Sequence, residues 1–262
     1  MKLISLRSRG PMRGGIKMTL REEPQPANER DRISRYMLQT DPSAETGPLA
    51  LPPAWWSKPY EYEWARRFAR PGDIVLEAGG GSVQPFILKL ASLCREVHVC
   101  DDSPHAESTE SIIREWIVRY GPVVAVELQG PAFERISFAC ADLSALPFDE
   151  GTFDAVFYLP SADRGADGKA GLAEGKSGAS DREERTRIWR EFARVLKPQG
   201  RLIAALGVTG SLDGFASEIA AAGLRFDGPA ELERPADALY AVRYGERHYC
   251  FRACLVRAEG CG

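Results

Sequence analysis

The stretch Ile74-Val75-Leu76-Glu77-Ala78-Gly79-Gly80-Gly81-Ser82-Val83 decides the fold. An apolar strand runs directly into three glycines, which let the backbone bend sharply and admit a ligand where no Cβ stands in the way. Residues 84–93 then carry Phe86, Leu90 and Leu93 at helical spacing, and Pro85 suits a first helical turn. Strand, glycine turn and helix follow in order, and the helix N-terminus presents unpaired N–H groups. A dinucleotide fingerprint needs G-x-G-x-x-G, but counting from Gly79 its third glycine position falls on Gln84. Glu77 sets an acid two residues before the first glycine. There it repels a pyrophosphate and suits a ligand bearing an ammonium group.

Downstream, Glu96-Val97-His98-Val99-Cys100-Asp101-Asp102-Ser103 reads as a second strand with acids at its tip. In doubly wound folds an acid at the place of Asp101 accepts hydrogen bonds from a ribose diol, in nicotinamide and methyl-donor enzymes alike. Asp102 equally suits the cap of the following helix. His105 reads as an exposed first-turn residue. Residues 108–120 form an amphipathic helix through Ile112, Ile113, Trp116, Ile117 and Tyr120, and 123–128 could add a strand. A third parallel strand at 136–141 leads into Asp142-Leu143-Ser144-Ala145-Leu146-Pro147-Phe148-Asp149-Glu150-Gly151-Thr152-Phe153-Asp154-Ala155-Val156-Phe157. The fourth strand, 153–158, ends at Tyr158 beside the same crevice, where this ring either lines a transfer site or turns into the core.

The pattern E-x-G-x-G from Glu77 to Gly81 resembles the first motif of class I S-adenosylmethionine-dependent methyltransferases. The segment from Asp142 to Val156 resembles the D-x-x-x-L-P-F-x-x-x-x-F-D-x-V signature of the methyltransferase type 11 group, and Arg194-Val195-Leu196-Lys197-Pro198-Gln199-Gly200-Arg201-Leu202 is similar to that family's turn into strand five. The resemblance runs from about residue 73 to 257, with the three regions in the family's order. It implies an α/β fold: a doubly wound, seven-stranded, mostly parallel, Rossmann-like sheet whose last strand is antiparallel. It implies S-adenosylmethionine as cofactor and transfer of the sulfonium methyl group to an acceptor. Glu77, Ala78, Gly79 and Gly81 would hold the methionine end, Asp101 and Asp102 the ribose. Asp142 would accept from the adenine amino group, with the Leu143 N–H at the ring and Tyr158 near the transfer site. The sequence departs from the family at Val83, where a third glycine is usual, and at Gln199, where glycine is common.

No catalytic base is assigned. Tyr158 and Asp163 are candidates by position alone, and a base is needed only where the acceptor must lose a proton. Tyr158-Leu159-Pro160-Ser161 is not the N/D-P-P-Y/F signature of amino-methyltransferases acting on bases or glutamine, so that acceptor class loses weight. A small-molecule acceptor is expected because nothing basic lines the mouth. Two other readings stand beside this one. The chain could be a non-catalytic methyltransferase-like partner subunit that binds the cofactor, a reading that Val83 keeps open. Or it could be a nicotinamide oxidoreductase, which Gln84 disfavours.

The remaining sequence bounds these readings. At 262 residues the chain can bury a full core, and 44% hydrophobic with 27% charged residues is ordinary for a globular protein. A formal net charge of −3 argues against general nucleic-acid binding. No apolar run reaches the length of a membrane span, and residues 1–17 lack the apolar centre of a secretory signal, so a cytoplasmic setting is expected. The six cysteines, Cys94, Cys100, Cys140, Cys250, Cys254 and Cys261, read as reduced structural thiols, with Cys100 and Cys140 as small hydrophobes in strands. His248, Cys250 and Cys254 share a strand face, but without a C-x-x-C pair no metal is expected.

Three regions are expected along the chain: a loose, basic leader over 1–30, a helical and aromatic cap over 31–72, and the cofactor-binding domain over 73–262. The cap includes a helix over 31–39, a further helix over 61–69, and Trp55, Trp56, Tyr60 and Tyr62 as anchors on the core or as site wall. The domain carries a glycine-rich, flexible insertion over 163–180 that reads as a lid. A helix over 181–196, strand five over 201–206, a helix over 212–222 and strands at 224–227 and 249–257 complete it. Residues 229–246 read as a loop.

Overall fold

The protein is described by a computed structural model covering residues 26–44, 49, 51–102, 109–122, 124, 133–160 and 179–258. The leader up to residue 25, most of the strand suggested at 123–128, His105, Asp163, residues 163–178 of the expected lid and Cys261 lie outside the described residues.

Five parallel strands form the centre: β2 (Ile74–Ala78), β3 (Glu96–Asp101), β4 (Ile136–Cys140), β5 (Phe153–Tyr158) and β6 (Leu196–Val208). Their order across the sheet is β4-β3-β2-β5-β6, followed by the long antiparallel β10 (Glu246–Arg257). The chain runs outward from β2 to β4 and then recrosses to β5, so the order reverses between β2 and β5. In open α/β sheets ligands bind at the carboxyl edge beside such a reversal.

Both faces are covered. Helix α1 (Lys58–Ala65) precedes β2, and α2 (Pro85–Leu93) joins β2 to β3. Helix α3 (Thr109–Tyr120) lies between β3 and β4, α4 (Ala179–Val195) between β5 and β6, and α5 (Phe215–Ala221) after β6. Alternation along the strands sorts side chains between the two layers. Leu76, Ala78, Val156 and Tyr158 pack with Trp189, Phe192 and Phe215 of α4 and α5. Val75, Val97, Val99 and Phe157 pack with Phe86, Ile87 and Leu90 of α2 and with Tyr62, Trp64 and Phe68. This is the doubly wound, mostly parallel sheet that the sequence implies.

Several expectations need correction. The sheet holds ten strands rather than seven. The extra ones come from the first segment and from 229–246: β1 (Ser34–Tyr36), β8 (Ala230–Glu231) and β9 (Tyr240–Arg243). Together with β7 (Leu224–Phe226), β1 and β9 pair in turn along the outer edge of β10. Residues 31–39 are thus not a helix. Tyr36 and Met37 are both buried but enter opposite layers, the period of two that a strand imposes, and Arg35 and Tyr36 pair with Arg252 and Phe251. Strand five starts earlier, at Leu196, and the helix expected over 212–222 is shorter, Phe215–Ala221. The helix expected over 61–69 starts at Lys58 and tightens into a 3₁₀ turn from Arg66 to Phe68.

Among the cysteines, Cys94, Cys100, Cys250 and Cys254 are free and buried, whereas Cys140 is free but exposed. It lies on β4, the outermost of the parallel strands, and so misses the core expected for it. No helix among the described residues is long and apolar enough to cross a membrane. No group of three or more metal-ligating side chains is found among them.

Candidate functional site

The glycine turn sits at the carboxyl edge of β2. Gly79 and Gly81 adopt φ of +70° and +89°, left-handed backbone that glycine takes without strain, and the Gly79 N–H donates to the Cys100 carbonyl at 3.1 Å. Each glycine answers a different need. A Cβ on Gly79 would stand 2.9 Å from the Tyr158 ring and 3.1 Å from Leu143 Cδ1. One on Gly80 would run into the Glu77 carboxylate and the Gln84 amide. One on Gly81 would meet nothing within 4 Å. The first two glycines therefore permit close packing, and the third opens onto empty space.

Glu77 and Asp101 are both fully buried. Glu77 pairs with Val99 in the β2–β3 register, so Asp101, two residues on, points to the same face of the sheet. The glycine turn is folded around the Glu77 carboxylate, which fills the room that a Gly80 side chain would need. Burial first, and then the charges of Asp101 and Glu77, push the Cys100 thiol up to about 12. Asp102 is exposed. Ala78 is buried in the layer that packs on α4 and α5.

Asp142 follows the end of β4, the next strand along, and is exposed. Its Oδ1 accepts from the Ser144 N–H at 2.8 Å, which leaves a carboxylate further acceptor capacity. Leu143 is buried against Gly79. The turn from Leu146 to Phe148 is held by α4: Arg194 donates to the Phe148 carbonyl at 2.7 Å and the Leu146 carbonyl at 3.0 Å, while the Leu146 N–H donates to Glu191 at 2.9 Å. Tyr158 is 1% exposed, with its ring 5.7 Å from Trp189 and 5.3 Å from Phe192. It backs Gly79 from within the core.

The bond from Arg194 holds the Glu191 carboxyl below its usual 4.5, against a smaller opposing effect of burial. A carboxyl with a depressed folded pKa binds fewer protons folded than unfolded. Its contribution is complete above the unfolded value and is lost as pH falls through the folded one. The gap in Tm between the parent and Glu191→Gln should be widest above about pH 5 and close as pH falls below 4.5. A gap that stays constant from pH 7 to about 3 would contradict this clamp.

Tertiary supports of the turn escaped the sequence reading. Trp116 Nε1 of α3 donates to the Ser82 carbonyl at 2.9 Å, and the Tyr120 hydroxyl donates to the Val83 carbonyl at 2.9 Å. Val83 itself is buried with Leu88, Ile112 and Trp116, so the departure from a third glycine serves as an apolar anchor. Gln84 stands where a dinucleotide fingerprint has glycine. Its amide nitrogen donates to the Gly80 carbonyl and, at 3.1 Å, to the Leu159 carbonyl, and its oxygen accepts from Tyr62 at 3.1 Å. Lys58, 1% exposed, donates to the same Leu159 carbonyl at 2.8 Å. The one signal for Lys58 was its i,i+3 spacing to Glu61.

A separate cleft of about 390 Å³ opens at the opposite, amino edge of the sheet between Phe68, Arg70, Asp73, Asp154, Lys197 and Arg201. Its facing charges are already engaged in part, Lys197 with Asp154 at 2.7 Å and Arg201 with Asp227 at 2.9 Å. Doubly wound sheets bind ligands at the carboxyl edge, so the glycine turn marks the candidate site.

The strand order, the antiparallel β10 and the acid-flanked glycine turn define a doubly wound, Rossmann-like α/β fold. No protein-family model matches the chain, and no curated protein sequence matches it significantly. Solved structures similar to it include the (4+2)-cyclase SpnF, at 20% identity and TM-score 0.46 over 73% of this chain and 63% of that one. The chain thus spans less than two thirds of the cyclase's length. A TehB-like SAM-dependent methyltransferase from Corynebacterium glutamicum is similar at 17% identity and TM-score 0.44, over 76% of this chain and 87% of that one. The 1,6-didemethyltoxoflavin-N1-methyltransferase of Burkholderia thailandensis, with bound 1,6-didemethyltoxoflavin and S-adenosylhomocysteine, is similar at 17% identity and TM-score 0.41 over 72% of each chain.

Proposed function

We propose that the chain is an S-adenosylmethionine-dependent methyltransferase acting on a small molecule. One observation carries this reading: two fully buried carboxylates, Glu77 and Asp101, lie on one face of adjacent parallel strands, around a glycine turn that opens at Gly81. Buried negative charge beneath such a turn disfavours a pyrophosphate and favours a cationic, diol-bearing guest. The chemistry fits the donor set. Glu77 places its charge under Gly79–Gly81, at the end assigned to the methionine ammonium. Asp101 accepts from the ribose hydroxyls with Asp102 at the rim. Asp142 and the Leu143 N–H read one edge of adenine. Tyr158 acts from behind, as the ring on which Gly79 rests.

When bound, the cofactor supplies an electrophilic methyl group on sulfur. The chain's part is to orient that group against an acceptor, and positioning of this kind can supply much of the rate. No residue is assigned as a base. A formal charge of −3 gives the chain no general attraction to a phosphate backbone, which favours a small acceptor over nucleic acid.

Calorimetry with S-adenosylhomocysteine tests the reading. Asp101→Ala removes a charged acceptor and should weaken binding by about 1.5–3 kcal/mol. Equal affinity in parent and variant would remove Asp101 from the site. Turnover of radiolabelled methyl donor with fractionated cell extract then separates an enzyme, which labels a fraction, from a cofactor-binding partner subunit, which labels none.

A further inference from the structure

We propose that Lys58 is a positioning residue that fixes the carboxyl end of β5 and ties it to the glycine turn. This role rests on the methyl-donor reading of the site. Lys58 lies in the first turn of α1, more than one hundred residues from its two carbonyl partners in the chain. Its ammonium has three protons and meets three oxygens: Glu61 Oε2 at 2.6 Å, the Leu159 carbonyl at 2.8 Å and the Pro160 carbonyl at 2.8 Å. Glu61, 3% exposed, also accepts from the Ser57 hydroxyl at 2.5 Å. The Leu159 carbonyl is shared with the Gln84 amide, which also holds the Gly80 carbonyl. One buried network thus joins α1, the exit of β5 and the turn that wraps Glu77.

Stability alone does not call for such a group. Two well-packed apolar residues in place of a buried ion pair are often neutral or stabilising. What an apolar pair cannot do is point two successive carbonyls, Leu159 and Pro160, in a fixed direction at the edge of the crevice. These residues directly follow Tyr158, whose ring supports Gly79. Movement at the β5 exit is therefore passed to the turn through both Tyr158 and Gln84.

The test compares Glu61→Gln with Lys58→Met/Glu61→Gln in the full chain, so that neither variant leaves a buried unpaired carboxylate. The double variant is expected to melt no lower than Glu61→Gln, which keeps a buried ammonium without its anion. The double variant should bind S-adenosylhomocysteine at least about tenfold more weakly than Glu61→Gln, the factor expected for lost charge-assisted hydrogen bonds. Amide exchange over 79–84 should be faster in it as well. Equal affinity and equal exchange in the two variants would overturn the proposal. If the parent itself fails to bind S-adenosylhomocysteine, the methyl-donor reading falls, and exchange over 79–84 decides the role of Lys58 by itself. Should the double variant not fold, Lys58→Gln on Glu61→Gln replaces it under the same criteria, since a glutamine amide has only two protons to donate.

Discussion

Trp116→Ala should lower the unfolding free energy by about 3–5 kcal/mol, the cost of emptying a large buried aromatic site. Trp116 is fully buried, packs with Val83, Leu88 and Ile112, and lies 5.3 Å from the Tyr120 ring. The same substitution frees the Ser82 carbonyl from its indole donor. Trp116→Phe separates the two contributions. It keeps most of the packing and removes the hydrogen bond, so about 1–2 kcal/mol should be lost. Denaturant titration of the three proteins measures both. A loss under about 1 kcal/mol for Trp116→Ala would show that α3 does not clasp the exit of the glycine turn. In the methyl-donor reading both variants also bind the cofactor more weakly, because the Ser82–Val83 backbone is then unheld on one side.

Arg185→Met is expected to be as severe, about 3–5 kcal/mol, for a different reason. Glu218 of α5 is 5% exposed and accepts from Arg185 at 3.0 and 2.8 Å and from Trp189 Nε1 at 3.0 Å. Methionine fills the volume but leaves a buried carboxylate short of its cation. Arg185→Met/Glu218→Leu removes both charges and should recover most of the loss, as replacement of a whole buried pair often does. If the double variant is no more stable than the single one, packing of α4 on α5 rather than the charge accounts for the effect.

Much of this architecture was legible in the sequence because its signals are local. The run from Ile74 to Gly81 carries its own strand and turn, and Asp101 and Asp142 follow at the ends of further apolar runs. Parallel strands buried on both faces announce themselves by such runs. Edge strands do not. β1, β8 and β9 are two to four residues long and exist through pairing with β10, β1 and β10 in turn, partners distant in the chain. Residues 31–39 illustrate the failure, since Ile33, Tyr36 and Met37 fit a helical face as well as a strand.

The site shows the same division. Glu77, Gly79, Gly81 and Asp101 stand in an identifiable motif, whereas Lys58, Gln84 and Trp116 act through tertiary hydrogen bonds that no local pattern encodes. Gln84 shows this most clearly. In sequence it is only the residue that breaks a dinucleotide fingerprint, and in the fold its amide bridges Gly80, Leu159 and Tyr62. Tyr158 was open between wall and core because a strand-end tyrosine suits either, and the packing of Trp189 and Phe192 turns its ring inward.

The most direct measurement is calorimetric titration of the full chain with S-adenosylhomocysteine and, in parallel, with NAD. Saturable binding of S-adenosylhomocysteine that weakens in Asp101→Ala, with no heat from NAD, is the predicted result. Binding of NAD without S-adenosylhomocysteine would contradict it, since a pyrophosphate would then be lying over the buried charge of Glu77.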